Sequence, residues 1–83
     1  MTVRKHIINF IKWVVQNNIT VVDTSQIHTL SGRGKQKFGR ILGSPSTYER
    51  TFRQMRHDKE IDCKEIKMHN KRESSWMIKG VNL

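Results

Sequence analysis

Gly43-Ser-Pro-Ser-Thr-Tyr-Glu-Arg-Thr-Phe-Arg-Gln-Met-Arg-His-Asp-Lys59 decides how this 83-residue chain is read. Ser44 before Pro45 has the form of a helix start, serine capping and proline at the first helical position. Ser46 with Glu49 three residues later is an alternative capping box. From either start a helix runs from about residue 46 to about residue 58. At about 100° per residue, Tyr48, Phe52 and Met55 fall on one line, with the stem of Lys59 beside them. That is a core-facing stripe. Ser46, Arg50, Arg53, Gln54 and His57 fall on the opposite side, Thr47 in the exposed first turn and Arg56 at the flank.

The polar side is built from residues that bond bases and phosphates. Arginine reads guanine O6 and N7 with two hydrogen bonds, glutamine reads adenine, and serine or threonine bonds phosphate or a base edge. A solvated amphipathic helix more commonly carries a lysine–glutamate ladder, and none stands here. The chain around this helix is basic. It holds 16 Lys plus Arg against 7 Asp plus Glu, a net charge of +9. The excess is uneven: Arg33, Lys35, Lys37, Arg40, Arg50, Arg53 and Arg56 stand with the single acid Glu49 between residues 33 and 57. A clustered excess of this sign points to a polyanion.

Outward toward the N-terminus, Val3, Ile7, Phe10, Ile11 and Val14 recur at helical spacing, predicting a helix over 3–17 with Thr2 as cap and Asn17-Asn18 as stop. Ile8, Trp13 and Val15 widen its apolar stripe, so it is expected to pack on two sides. Ile19–Val22 is β-branched and predicts a short strand. Asp23 and Gln26 form a capping box that opens a short helix burying Ile27 and Leu30. Ser31-Gly-Arg-Gly34 is expected to end it. Lys35 to Leu42 is a second short helix, with Phe38, Ile41 and Leu42 at i, i+3, i+4 and Gly43 in the left-handed position after it. Toward the C-terminus, strands 61–68 and 74–81 form a β-hairpin with one bulge, Trp76 and Ile78 on one face, and a basic tip at 69–73.

Phe38-Gly39, Leu42, Gly43 and Phe52 together resemble the helix-turn-helix motif. The order of elements, ending in a hairpin with a basic loop, resembles the winged helix-turn-helix superfamily. The resemblance implies an α+β, mainly α fold of three to four helices, with a short strand after the first helix and a C-terminal β-hairpin wing. Whether residues 24–30 or 35–42 form the motif's first helix stays open. It also implies a major-groove helix, with Ser46, Thr47, Arg50, Arg53, Gln54 and His57 facing the groove and Lys71 and Arg72 as wing contacts. Lys35, Lys37 and Arg40 join them as basic DNA contacts.

Other classes are set aside on residue grounds. A chain this short is expected to form one domain with a small core. No 18-residue apolar run is present, so no transmembrane helix is expected. Asn9 and Lys12 interrupt the N-terminal apolar run, which therefore reads as a mature helix and not a signal peptide. One cysteine, Cys63, excludes an intramolecular disulfide and suits a cytoplasmic or nucleoid-associated protein. The four histidines and Cys63 lack zinc-ligand spacing, so no metal or other cofactor is expected. The glycines at 32 and 34 lack the Gly-Lys-Ser/Thr of a P-loop. Asp58, Glu60, Asp62 and Glu65 read as solvated ion pairs, and no catalytic residue is expected. Trp13 and Trp76 could stack on bases of single-stranded nucleic acid, but both lie in apolar patterns, and core packing is the stronger reading. The expected function is that of a small non-enzymatic protein binding double-stranded DNA, in transcriptional regulation or a related process, as a monomer unless it pairs on DNA. The alternative is a winged-helix module whose basic face binds an acidic protein partner.

Overall fold

The computed structural model describes residues 1–66 and 74–82. In chain order these form α1 (Val3–Gln16), β1 (Val21–Asp23), α2 (Thr24–Phe38), α3 (Pro45–His57), β2 (Ile61–Ile66) and β3 (Ser75–Val81). The fold is α+β and mainly helical, three helices with a three-stranded antiparallel sheet of order β1-β3-β2.

Local chemistry sets most of the boundaries. The Thr2 hydroxyl accepts the Lys5 N–H and opens α1, and Asn18 at φ +58° turns the chain out of it. At α2 the Asp23 carboxylate accepts the Gln26 N–H while the Gln26 side chain accepts the Asp23 N–H, both at 2.9 Å. Ser44 caps α3 by accepting the Thr47 N–H at 3.1 Å, with Pro45 at the first position, so Ser46 is not the cap. α3 closes at His57, and Lys59 lies beyond it at φ +62°, exposed instead of bordering the core stripe.

Helix α2 is one continuous helix, not two short ones. It runs through Gly32 and Gly34 and stops at Gly39, whose φ of +72° makes it the left-handed cap expected at Gly43. Residues 35–42 therefore form no separate helix, and Ile41 is 64% exposed in the loop. The reason is packing. Gly34 sits where α2 meets α1 and α3, and a Cβ there would stand 3.1 Å from the Tyr48 hydroxyl and 3.5 Å from the His6 ring. Gly43 is also a close-approach position, since its Cβ would lie 2.9 Å from the Val3 side chain.

The core joins Ile7, Ile11 and Val14 of α1, Ile27 and Leu30 of α2, Tyr48, Phe52 and Met55 of α3, and Val22, Ile61, Trp76 and Ile78 of the sheet. The Phe52 ring meets the Trp76 indole edge-on at 4.8 Å. Trp13 and Val15 do not join it. Both are exposed, Trp13 by 49%, whereas Ile8 is buried and α1 packs on both α3 and the sheet, as expected. β1 pairs with β3 as Val21↔Met77 and Val22↔Trp76, starting two residues later and ending one later than the expected strand. The register of β2 on β3 shifts between Asp62 and Cys63, leaving Lys79 of β3 without an opposite residue. The expected hairpin tip, with Lys71 and Arg72, lies outside the described residues. No helix among the described residues is long and apolar enough to cross a membrane.

Candidate nucleic-acid interface

Helix α3 turns Tyr48, Phe52 and Met55 inward and leaves Ser46, Arg50, Arg53, Gln54 and His57 exposed, as its periodicity predicts. Two side-chain contacts tie α3 and the loop before it to α2. The Ser31 hydroxyl donates to the Gly43 carbonyl at 2.7 Å, and His28 Nε2 lies 2.9 Å from Glu49 Oε1. A third tie runs to α1, where the Tyr48 hydroxyl and His6 Nδ1 share a buried 2.7 Å hydrogen bond. Burial, and secondarily the Lys37 charge, lowers the His6 pKa; burial raises that of Tyr48. The ring of His6 is also packed edge-on against Phe38 and Tyr48. The angle at which α3 presents its polar face is thus fixed by polar contacts on two sides.

Acidic neighbours divide that face. Arg53 lies over the buried Trp76 ring, its guanidinium carbon 5.3 Å from the centroid, and its Nε is 3.7 Å from Glu49. Gln54 donates its amide to both Asp58 oxygens at 3.1 Å, and His57 Nδ1 lies 3.4 Å from the same carboxylate. Those bonds, from Gln54 first and then His57, hold the Asp58 carboxyl below the usual carboxylate range. Arg56 is half-buried and pairs with Glu65 at 3.6 Å. The C-terminal half of α3 is therefore engaged internally. In the N-terminal half, Arg50 is exposed and makes no ion pair among the described residues. Ser46 is exposed beside it, and the half-buried Thr47 places its hydroxyl 3.0 Å from that of Ser44.

The remaining basic residues separate by direction. Lys35 stands seven residues after His28, on the flank of α2 that meets α3. Arg40 follows in the loop, its guanidinium 3.5 Å from the Met1 carbonyl. Lys37 is on the other flank, toward α1, with its ammonium 5.6 Å from the Phe38 centroid. It does not join Arg50. The acids beside the sheet are paired as expected for Glu60 with Arg4 and Glu65 with Arg56. Cys63 is half-buried, and burial pushes its thiol pKa up.

Sequence reasoning missed the His6–Tyr48 bond, which joins residues 42 apart. It also missed the exposure of Trp13, for which a signal existed: the helical wheel sets Trp13 about 120° from the line of Ile7, Ile11 and Val14. Comparison with family models, with curated proteins and with solved structures finds no match to this chain.

Proposed function

We propose that this chain is a winged-helix protein that binds double-stranded DNA without catalysis, as a transcriptional regulator or in a related regulatory role. The observation that carries this reading is the N-terminal half of α3. There Ser46, Thr47 and Arg50 lie together with no carboxylate paired to Arg50 among the described residues. Residues near the start of a recognition helix make most base contacts. Arg50 reads a guanine through O6 and N7, while Ser46 and Thr47 bond a phosphate or a base edge. Lys35 and Arg40 bond backbone phosphates, and the sequence segment 69–73 supplies Lys71 and Arg72 as wing contacts.

Arg53 takes a different part. Its guanidinium covers Trp76 and pairs with Glu49, so its loss weakens the fold more than the readout. Binding of duplexes selected from a random pool, measured over a salt series, tests the proposal. Lys35, Arg40, Lys71 and Arg72 neutralise about three to four phosphates, which gives a log–log slope of about −2.7 to −3.6. Arg50→Ala costs about 1–3 kcal/mol and relaxes preference at one base pair. A slope near zero, or an Arg50→Ala variant that keeps full discrimination, refutes the reading.

A further inference from the structure

A groove of about 480 Å³ lies between helices α1 and α2. Its lining includes Asn9, Phe10 and Trp13 of α1 and Arg33, Gln36 and Lys37 of α2. A second groove of about 200 Å³ shares Phe10, Trp13 and Arg33 with it, so one track runs along the seam past Trp13. The indole is 49% exposed and stacks on Phe10, with centroids 6.3 Å apart and planes at 21°. Phe10 thus borders the indole in an offset stack, and Trp13 is about half open to solvent.

The chemistry of the lining is selective. Arg33 and Lys37 are exposed, stand one helical turn apart, and make no ion pair among the described residues. An aliphatic partner gains little from two unpaired cations. A planar anion answers every element of the track: a ring to stack, cations for its phosphates, and the Asn9 and Gln36 amides for ring-edge donors and acceptors. The continuation of the track past Trp13 suits a strand better than a lone nucleotide.

We propose that the α1–α2 seam binds single-stranded nucleic acid, with an unstacked base on Trp13 and its phosphates on Arg33 and Lys37. This goes beyond duplex recognition by α3. The flank of α2 bearing Arg33 and Lys37 faces α1, whereas His28 and Ser31 bond toward α3, so the two surfaces are separate.

The probe is a short oligothymidylate titrated into the full chain. Trp76 is fully buried, so quenching of the solvent-exposed tryptophan emission reports Trp13. Saturable quenching is expected. In anisotropy with a labelled strand, Trp13→Ala weakens binding about 5- to 150-fold, the range for loss of one stacked base. Trp13→Phe retains most of the affinity. Arg33→Ala and Lys37→Ala each reduce the single-strand salt slope by about 0.7. Arg50→Ala leaves strand binding unchanged while it weakens duplex binding, so failure at the seam is distinguishable from failure at α3. Absence of oligothymidylate binding at low salt overturns the proposal. So does strand binding that Trp13→Ala leaves intact, or that Arg50→Ala abolishes. Quenching of Trp13 by a phenylalanine-bearing polyglutamate peptide and not by the strand assigns the seam to an acidic protein and overturns it as well. Should Trp13→Ala fail to fold, Trp13→Phe and the two cation variants still decide the matter.

Discussion

Two glycines two residues apart in α2 lie on opposite faces of the helix and have opposite environments, and that contrast makes a sharp test of the packing. Gly32 is exposed, and a Cβ there would meet nothing within 4 Å. Gly32→Ala therefore gains only helix propensity, about 0.5–1 kcal/mol. Gly34→Ala has the same intrinsic gain, but its methyl would stand 3.1 Å from the Tyr48 hydroxyl. That hydroxyl cannot give way freely, because Tyr48 is fully buried and its oxygen is bonded to His6 at 2.7 Å. Overpacking costs about 1–3 kcal/mol, and a broken buried hydrogen bond a similar amount. Gly34→Ala is thus expected to be destabilised by about 0.5–2 kcal/mol net once propensity is credited. In thermal melts followed by circular dichroism, about 1 kcal/mol moves the midpoint by about 4–8 °C for a domain of this size. Gly32→Ala should melt above the parent and Gly34→Ala below it. The cause is isolated in a Tyr48→Phe background, where the clashing oxygen is gone and the Gly34→Ala penalty should shrink. A Gly34→Ala protein as stable as Gly32→Ala, or a penalty unchanged by Tyr48→Phe, refutes the close-approach account.

Phe52 is fully buried against Trp76, so Phe52→Ala should cost about 3–5 kcal/mol and leave little cooperative unfolding to measure in denaturant. Tyr48→Phe removes the partner of buried His6 Nδ1 and should lower stability by about 1–3 kcal/mol in the same assay. The His6 pKa is depressed in the fold, so as the pH falls below about 6.5 the unfolded chain takes up this proton first. The stability contributed by neutral His6 is present above that pH and is lost as the pH drops further. A His6→Gln variant should show a flatter pH profile between 7 and 5 in urea melts, with an unflattened one counting against the buried imidazole. Arg53→Ala should lower the melting temperature more than it changes duplex discrimination, and the reverse result would make Arg53 a reader of bases.

Elements bounded by local chemistry were legible in the sequence. The Thr2 cap, the Asp23–Gln26 box and Ser44-Pro45 each act within four residues, so their signals need no knowledge of the fold. The core stripe of α3 was equally plain, because Tyr48, Phe52 and Met55 share one helical line. The continuity of α2 was not. Glycine propensity favours a break at 32–34, but burial of Leu30, Ser31 and Gly34 against neighbouring helices outweighs it. No local pattern reveals that Gly34 must accommodate His6 and Tyr48. Trp13 was misassigned for another reason: an aromatic residue in an apolar run suggests the core, although its angle on the wheel already set it apart.

The candidate interface was legible in its composition but not in its extent, and the acids account for the difference. Seven cations between residues 33 and 57 look equivalent when counted. In three dimensions Glu49 engages Arg53, and Glu65, which follows Arg56 by nine residues, comes back through β2 to pair with it. Asp58 occupies Gln54 and approaches His57. Each acid withdraws a polar group of α3 from contact with an anion, either by neutralising it or by taking its donors. Arg33 and Lys37 are drawn off by direction instead, because α2 continues as a helix and carries both to the α1 flank. What remains toward α3 is Lys35, Arg40, Arg50 and the cap of α3. A uniform basic surface would bind any polyanion with an affinity set by charge alone. On the proposed reading, a surface trimmed to one unpaired arginine on α3 would bind through fewer charges, and a larger share of its affinity would depend on what that arginine meets.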